Sequence, residues 1–215
     1  MAKFRYILKN RDFFLLWISQ IISQIGDRLG QMALIAFVYA KAPGSSIEIA
    51  KILSFTIIPV FLIGPVAGVY VDRWDRRKTL YICDFLRTVM VFFVILFLFN
   101  IKNLGAAYFT IFVLFCIGRF FVPAKLAIIP DLVKKEDLLM ANSLVNITGM
   151  IAAIFGFGIS GVLVEWLKAK GGLYLDALSF FISATTIFLV SKSSRASVWR
   201  LREVGKEIVE VIKNL

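Results

Sequence analysis

The sequence predicts an all-α integral membrane protein with six transmembrane helices, followed by a cytoplasmic amphipathic helix. Three observations support this fold class. Sixty per cent of the 215 residues are hydrophobic, and they form blocks of roughly 20 residues, the length at which a helix crosses about 30 Å of hydrocarbon. Short polar breaks separate the blocks. Because the polar backbone groups of a segment in lipid must form hydrogen bonds within that segment, each block is predicted to be a helix rather than a lone strand.

The six predicted spans follow one another with little sequence between them. A turn of Pro, Gly and two Ser residues separates the first span from the second, and a strongly charged loop separates the second from the third. The predicted bounds are residues 13–40, 49–71, 79–99, 104–123, 138–166 and 173–190.

The tail, residues 191–215, differs in kind from the spans. Its apolar residues recur at helical spacing and charged residues occupy the other face, so this segment is predicted to lie along the cytoplasmic surface. The apolar positions are Val204, Ile208, Val211, Ile212 and Leu215. The chain stops within this pattern, and we therefore expect it to be truncated or to require a second six-helix unit.

The distribution of Lys and Arg predicts the orientation of the chain. With the amino terminus inside, seventeen of these residues fall on the inner side, five on the outer side and three within spans. Positive residues are enriched on the cytoplasmic side of membrane proteins. Both termini are therefore predicted to be cytoplasmic, in a multi-pass protein of the cell membrane.

Composition argues against several other functions. The net charge is +11, but the basic residues flank apolar blocks, which favours the lipid bilayer over nucleic acid as a partner. The chain has no His, and its two cysteines, Cys83 and Cys116, lie inside apolar blocks. It also lacks an HExxH or Gly-x-Ser-x-Gly motif. The sequence thus predicts no metal, no cofactor and no catalytic site.

Polar residues on the first span mark a candidate pathway for substrate or ions. Their spacing places them on one stripe of a helix, and Arg28 flanks that stripe. A charge at mid-bilayer is costly, so the stripe should face protein or water. Asp27 is then either a proton or cation carrier or one partner of a structural ion pair. The stripe consists of Gln20, Ser23, Gln24, Asp27 and Gln31.

Two further groups of residues are predicted to meet other helices. Asp84 and Arg87 on the third span and Arg119 on the fourth can reach similar depth. They are predicted to form a charge network, which is either structural or a proton relay or substrate contact, and Arg119 is a pathway candidate as well. On the fifth span, Gly149, Ala152, Gly156 and Ser160 form a small-residue stripe that suits close helix packing or sliding.

The loop between the second and third spans carries the most specific motif. It resembles the signature loop of the major facilitator superfamily, with Asp75 at a position where the general pattern has Gly. The form Asp-Arg-x-Asp-Arg-Arg resembles the loop of one branch of this superfamily, which includes macrolide-efflux and enterobactin-exporter-like proteins. The segments Ser23–Asp27 and the one that begins at Asp176 resemble the same branch. The loop residues that carry the resemblance are Gly68, Asp72, Arg73, Asp75, Arg76, Arg77 and Lys78.

The resemblance implies both a fold and a role for this loop. Family members have two six-helix halves with 3+3 inverted repeats and bind substrate between the halves, so this chain would be the amino-terminal half. The loop would latch the two halves together; alternatively, its basic residues are simply cytoplasmic anchors. From the residues themselves, Asp72 is predicted to accept hydrogen bonds at the start of the third helix. Arg76, Arg77 and Lys78 are predicted to cover carbonyl ends of neighbouring helices.

The leading hypothesis is a secondary transporter that works by alternating access. The resemblance implies export of a small organic molecule that is drug-, macrolide- or siderophore-like, driven by proton entry. Its expected partners are the bilayer, the small-molecule substrate and the carboxy-terminal half or an equivalent unit. The alternative is a six-helix membrane partner or remnant that does not transport by itself.

Overall fold

The computed structural model describes residues 6–97 and 104–191. These residues form helices and short turns, with no strand among them, so the all-helical prediction is confirmed for this part of the chain. The predicted cytoplasmic tail with its amphipathic helix is residues 191–215, and all of it except Ser191 lies outside the described residues.

Five helical segments cover the six apolar blocks. They are α1 (Arg11–Lys41), α2 (Ser46–Val71), α3 (Arg76–Phe97), α4 (Leu104–Leu132) and α5 (Leu138–Phe188), with a 3-10 turn at Lys135–Asp137. Lys168 breaks α5, because its φ of 61° and ψ of 173° are not helical. The segment is therefore two helical arms, residues 138–167 and 169–188.

Within residues 6–97 and 104–191, four stretches are long and apolar enough to cross a membrane: Ser46–Val71, Arg76–Leu96, Ala107–Leu132 and Lys135–Phe188. The last one has 54 residues, which at 1.5 Å per residue corresponds to about 81 Å of helix and is enough for two crossings. Helix α1 is not among the four because its polar stripe interrupts the apolar residues.

Side chains fix the starts of the first two helices. The Asn10 side chain accepts hydrogen bonds from the backbone amides of Asp12 and Phe13, and its own Nδ2 donates to the carbonyl of Leu132 at 2.6 Å. It therefore caps α1 and ties this helix to the end of α4. Ser45 caps α2 through the amide of Glu48. Such caps satisfy backbone donors that a helix leaves unpaired at its first turn.

Glycines bring α1 into close contact with both arms of α5. A Cβ at Gly26 would lie 2.6 Å from the Cβ of Ser179 on the second arm. A Cβ at Gly149 on the first arm would lie 3.1 Å from Gln24, and one at Gly156 would lie 3.0 Å from Arg28. The predicted small-residue stripe therefore lies in a helix contact. Small residues permit this approach where burial from water cannot drive helix association.

Two apolar clusters lie at opposite ends of the helices. One contains Phe13, Leu16, Leu80, Ile129 and Ile187. The other contains Val38, Ile52, Val91, Ile111 and Leu173. Helix α3 contacts α4 and α5, and α2 packs mainly against α4. Polar and charged residues of α1, α3, α4 and α5 occupy the level between the two clusters, and this level contains the candidate site.

We expect the substitution Gly26→Ala to destabilise the protein. The added methyl group would overlap the Cβ of Ser179, which is fixed to the backbone and cannot rotate away. Overpacking of this kind costs about 1–3 kcal/mol, and thermal unfolding in detergent would show a lower midpoint. Gly158→Ala is the control, since a Cβ added at Gly158 would have no atom within 4 Å. That variant should be neutral or more stable by up to about 1 kcal/mol; equal effects of the two substitutions would contradict the packing described.

Candidate functional site

A charged cavity lies between α1, α3, α4 and the second arm of α5. Its volume is about 110 Å³, which is room for a carboxylate-sized group or a few water molecules. Three arginines and two aspartates line it, together with Gln31 and apolar residues. The charged lining residues are Asp27, Arg28, Arg87, Arg119 and Asp176.

Arg87 is the central cation of this site. Its Nη1 lies 3.5 Å from Oδ1 of Asp84 and 3.9 Å from Oδ2 of Asp27. Arg87 is 5% exposed and Asp84 is fully buried. Ser183 donates a hydrogen bond to the other Asp84 oxygen at 2.5 Å. A guanidinium can be buried at this depth because carboxylates on two helices offset its charge.

Aromatic and glycine residues shape the path of the Arg87 side chain. The guanidinium lies 5.1 Å from the ring centres of both Phe121 and Phe180, which is a favourable cation–π distance. A Cβ at Gly118 would lie 2.8 Å from Arg87 Nη2. Gly118 therefore leaves room for the guanidinium to cross the face of α4.

The predicted stripe on α1 divides between two environments. Asp27, Arg28 and Gln31 line the cavity, and Arg28 donates a hydrogen bond to Gln31 at 3.2 Å. Gln20 is buried, while Gln24 lies against Gly149 in the helix contact. The structure thus places the later part of the stripe at the cavity and the earlier part between helices.

Arg119 lines the same cavity from α4. Its Nε is buried without a hydrogen-bond partner, and it forms no ion pair with any residue that the structure describes. Of the predicted three-membered network, Asp84 and Arg87 are in direct contact, and Arg119 faces the same space without pairing to either carboxylate.

Asp176 is the one charged residue of the cavity lining that sequence reasoning did not select. It is 4% exposed, and its Oδ1 has no hydrogen-bond partner. The carboxylate lies directly over Gly30, where a Cβ would overlap the carboxylate oxygen Oδ2. The available signal was a carboxylate inside an apolar block, but only the fold places it beside the charges of α1, α3 and α4.

The loop between α2 and α3 ties three helices together. Arg76 pairs with Asp131 at 3.0 Å and donates to the carbonyl of Ala127 at 2.8 Å. Arg77 donates to the carbonyls of Ile187 and Phe188 at the end of α5. These two arginines therefore cover carbonyl groups of neighbouring helices, as predicted for them. The side chain of Lys78, predicted to do the same, is exposed and makes no such contact with the described residues.

The aspartate that caps α3 is Asp75, and the prediction of Asp72 for this role was wrong. Asp75 Oδ1 accepts the backbone amide of Lys78 at 3.0 Å, because it immediately precedes the first helical residue, Arg76. Asp72 directly follows the last residue of α2, and its side chain is exposed. The side chain of Arg73 is exposed as well. Neither forms an ion pair within the described ranges. Gly68 lies in α2, and a Cβ added there would meet open space.

Comparison with known proteins identifies the family. Residues 6–210 match a family described as transmembrane secretion effectors, one of the families of major facilitator transporters. The chain belongs to the major facilitator superfamily. It is therefore a multi-pass membrane protein of a transporter family rather than an enzyme.

Several curated relatives support this assignment. The chain is 30% identical over 187 residues to the uncharacterised MFS-type transporter YkuC of Bacillus subtilis, an alignment that covers 84% of this chain and 42% of YkuC. It is 26% identical over 176 residues to YfiS of the same organism, covering 82% and 41%. Identity to macrolide efflux protein A of Streptococcus pyogenes is 26% over 192 residues, covering 83% and 44%. The chain thus spans less than half the length of these relatives.

We expect Arg87→Gln to destabilise this major facilitator chain strongly, because the fully buried carboxyl group of Asp84 would lose the cation that offsets its charge. Loss of one partner of a buried ion pair costs about 3–5 kcal/mol. Adding Asp84→Asn should recover much of that loss, since the amide carries no charge and can still accept from Ser183. Unfolding in detergent for the single and double variants measures the coupling. Arg73→Gln, at an exposed arginine, is the control; additive losses in the double variant would contradict the pairing.

Proposed function

We propose that this chain forms the amino-terminal half of a secondary active exporter of small organic molecules, driven by proton entry. In this proposal α1 to α4 and the two arms of α5 cross the cell membrane six times, with both termini in the cytoplasm. The observation that carries the proposal is the charged cavity lined by α1, α3, α4 and α5.

The free-energy cost of placing charged residues around this cavity, inside membrane helices, supports a functional role for them. On the insertion scale, each Asp or Arg at the centre of a membrane helix costs about 2.5–3.5 kcal/mol. The Asp84–Arg87 ion pair offsets part of this cost. Buried polar atoms without a hydrogen-bond partner nevertheless occur on Arg28, Asp84, Arg87, Arg119 and Asp176. Groups left unsatisfied in the protein suit a site that a substrate, a proton or water satisfies during transport.

The family architecture explains why one wall of the site is open. Major facilitator transporters bind substrate between two six-helix halves, and Asp27 keeps 46% of its side chain exposed. In the complete transporter the second half would face Asp27, Arg28 and Arg119. The loop residues Asp72 and Arg73, which are exposed here, would then latch the halves while Arg76 and Arg77 hold the loop in place.

The direction and type of substrate are proposed from a relative. Macrolide efflux protein A, by its name, exports macrolides, and it aligns with 83% of this chain. A cavity of about 110 Å³ accommodates only a polar group of such a molecule on this half. The rest of the substrate would occupy the space between the halves.

Proton-driven efflux from inverted membrane vesicles tests this function. We expect the complete two-half protein to accumulate a macrolide or a cationic dye when a proton gradient is imposed, and an ionophore to abolish accumulation. Asp27→Asn and Asp176→Asn should each reduce the ionophore-sensitive rate at least tenfold if that carboxylate takes part in coupling.

Glu136→Gln is the matched control, since Glu136 is an exposed acid on the turn before α5. Unchanged rate and unchanged ionophore sensitivity in Asp27→Asn would remove Asp27 from the coupling role. A complete protein that accumulates no tested solute under any gradient would instead favour a membrane partner that does not transport.

A further inference from the structure

Two charged side chains of the cavity have no polar partner at all. The guanidinium of Arg119 on α4 and the carboxylate of Asp176 on the second arm of α5 both line the cavity. Neither group forms an ion pair or a hydrogen bond with another residue that the structure describes. Arg119 Nε and Asp176 Oδ1 are buried, and Asp176 is 4% exposed. Both groups therefore lack the partner that a buried charge requires.

The other charged side chains in and next to the cavity each have at least one polar contact. Arg87 contacts the carboxylates of Asp84 and Asp27. Arg28 donates a hydrogen bond to Gln31 at 3.2 Å. The unpaired cation on α4 and the unpaired carboxylate on α5 are thus the two groups that a ligand in this cavity would satisfy.

The charges around the cavity balance one another. Its three arginines are matched by three aspartates when Asp84, which lies beside Arg87, is counted with the two aspartates of the lining. A ligand with a single charge would disturb this balance in a place where an uncompensated charge is costly. A ligand with one charge of each sign leaves the balance unchanged and can contact both unpaired groups.

The size of the cavity limits how far apart the two charges of such a ligand can lie. Its volume of about 110 Å³ is that of about four water molecules. An ammonium group and a carboxylate group on the same carbon atom fit this space. The wall beside Asp27, whose side chain is 46% exposed, is open, so a substituent on that carbon atom can extend out of the cavity.

We infer that this cavity binds the ammonium and carboxylate groups of an α-amino acid, or of a larger molecule that ends in one. The ligand carboxylate contacts Arg119, because the donors of a guanidinium match the two oxygens of a carboxylate. The ligand ammonium group donates hydrogen bonds to Asp176. This inference rests on the proposed function, since it names the substrate class for the same cavity.

Thermal unfolding of the purified 215-residue chain in detergent tests this substrate class. The chain is titrated with L-phenylalanine, with phenethylamine, which lacks the carboxylate, and with 3-phenylpropionate, which lacks the ammonium group. A ligand that binds the folded chain raises the unfolding midpoint as its concentration rises. We expect the dissociation constant obtained from this rise to be at least tenfold lower for phenylalanine than for either analogue, because each analogue loses one charge-assisted contact.

Two substitutions assign the two contacts. Arg119→Gln should make phenylalanine and phenethylamine bind equally, while phenylalanine still binds more tightly than 3-phenylpropionate. Asp176→Asn should make phenylalanine and 3-phenylpropionate bind equally, while the preference over phenethylamine remains. Lys134→Gln and Glu136→Gln are matched controls at exposed residues between α4 and α5, and both should keep the two preferences.

The comparison of the three ligands on the unaltered chain is decisive even where a variant does not fold. An analogue that binds as tightly as phenylalanine, or a midpoint that none of the three ligands raises, would overturn the zwitterion site. Equal weakening of all three ligands in Arg119→Gln or Asp176→Asn would overturn it as well. Efflux by the complete protein would in those cases still support export. Selective binding of phenylalanine without any efflux would keep the site and overturn the export proposal.

Discussion

The Arg87 guanidinium and its two carboxylates impose the main constraint on this fold. Asp84 lies on the same helix as Arg87, whereas Asp27 lies on α1. Ser183 on α5 satisfies the remaining Asp84 oxygen. Each contact is needed because a buried charge without a partner is strongly unfavourable. Three helices must therefore meet at one depth, and the apolar clusters above and below this level pack around that requirement.

Close packing of α1 on α5 makes this meeting possible. Gly26 and Gly30 on α1 leave room for Ser179 and Asp176, and Gly156 on α5 leaves room for Arg28. Helices in lipid gain little from apolar burial, so short backbone distances and polar contacts hold them together. The same glycines place polar side chains at the cavity. The close packing of the helices and the position of the polar site therefore depend on the same glycines. This dependence links the stability of the bundle to its proposed function.

Residues of the site differ in how readily the sequence reveals them. Asp27 was found because it lies on a regularly spaced polar stripe of an apolar helix, and Arg28 because it is a charged residue beside that stripe. Arg87 was found because Asp84 lies one turn before it. Asp176 was not selected, since a single carboxylate in an apolar block has no partner within its own helix. The prediction that Asp72 accepts hydrogen bonds at the start of α3 was wrong, because the capping residue depends on where that helix begins, and Asp75 immediately precedes its first residue.

The sequence by itself determined that the chain is helical, that it is a membrane protein and that it resembles the major facilitator superfamily. These conclusions depend on the length and apolarity of blocks and on a local motif, all of which are properties of consecutive residues. Only the tertiary structure decided that Asp27 shares Arg87 with Asp84 and that Asp176 and Arg119 face the same cavity. The physical reason is that each of these features joins residues on different helices, and their distances depend on how the helices pack.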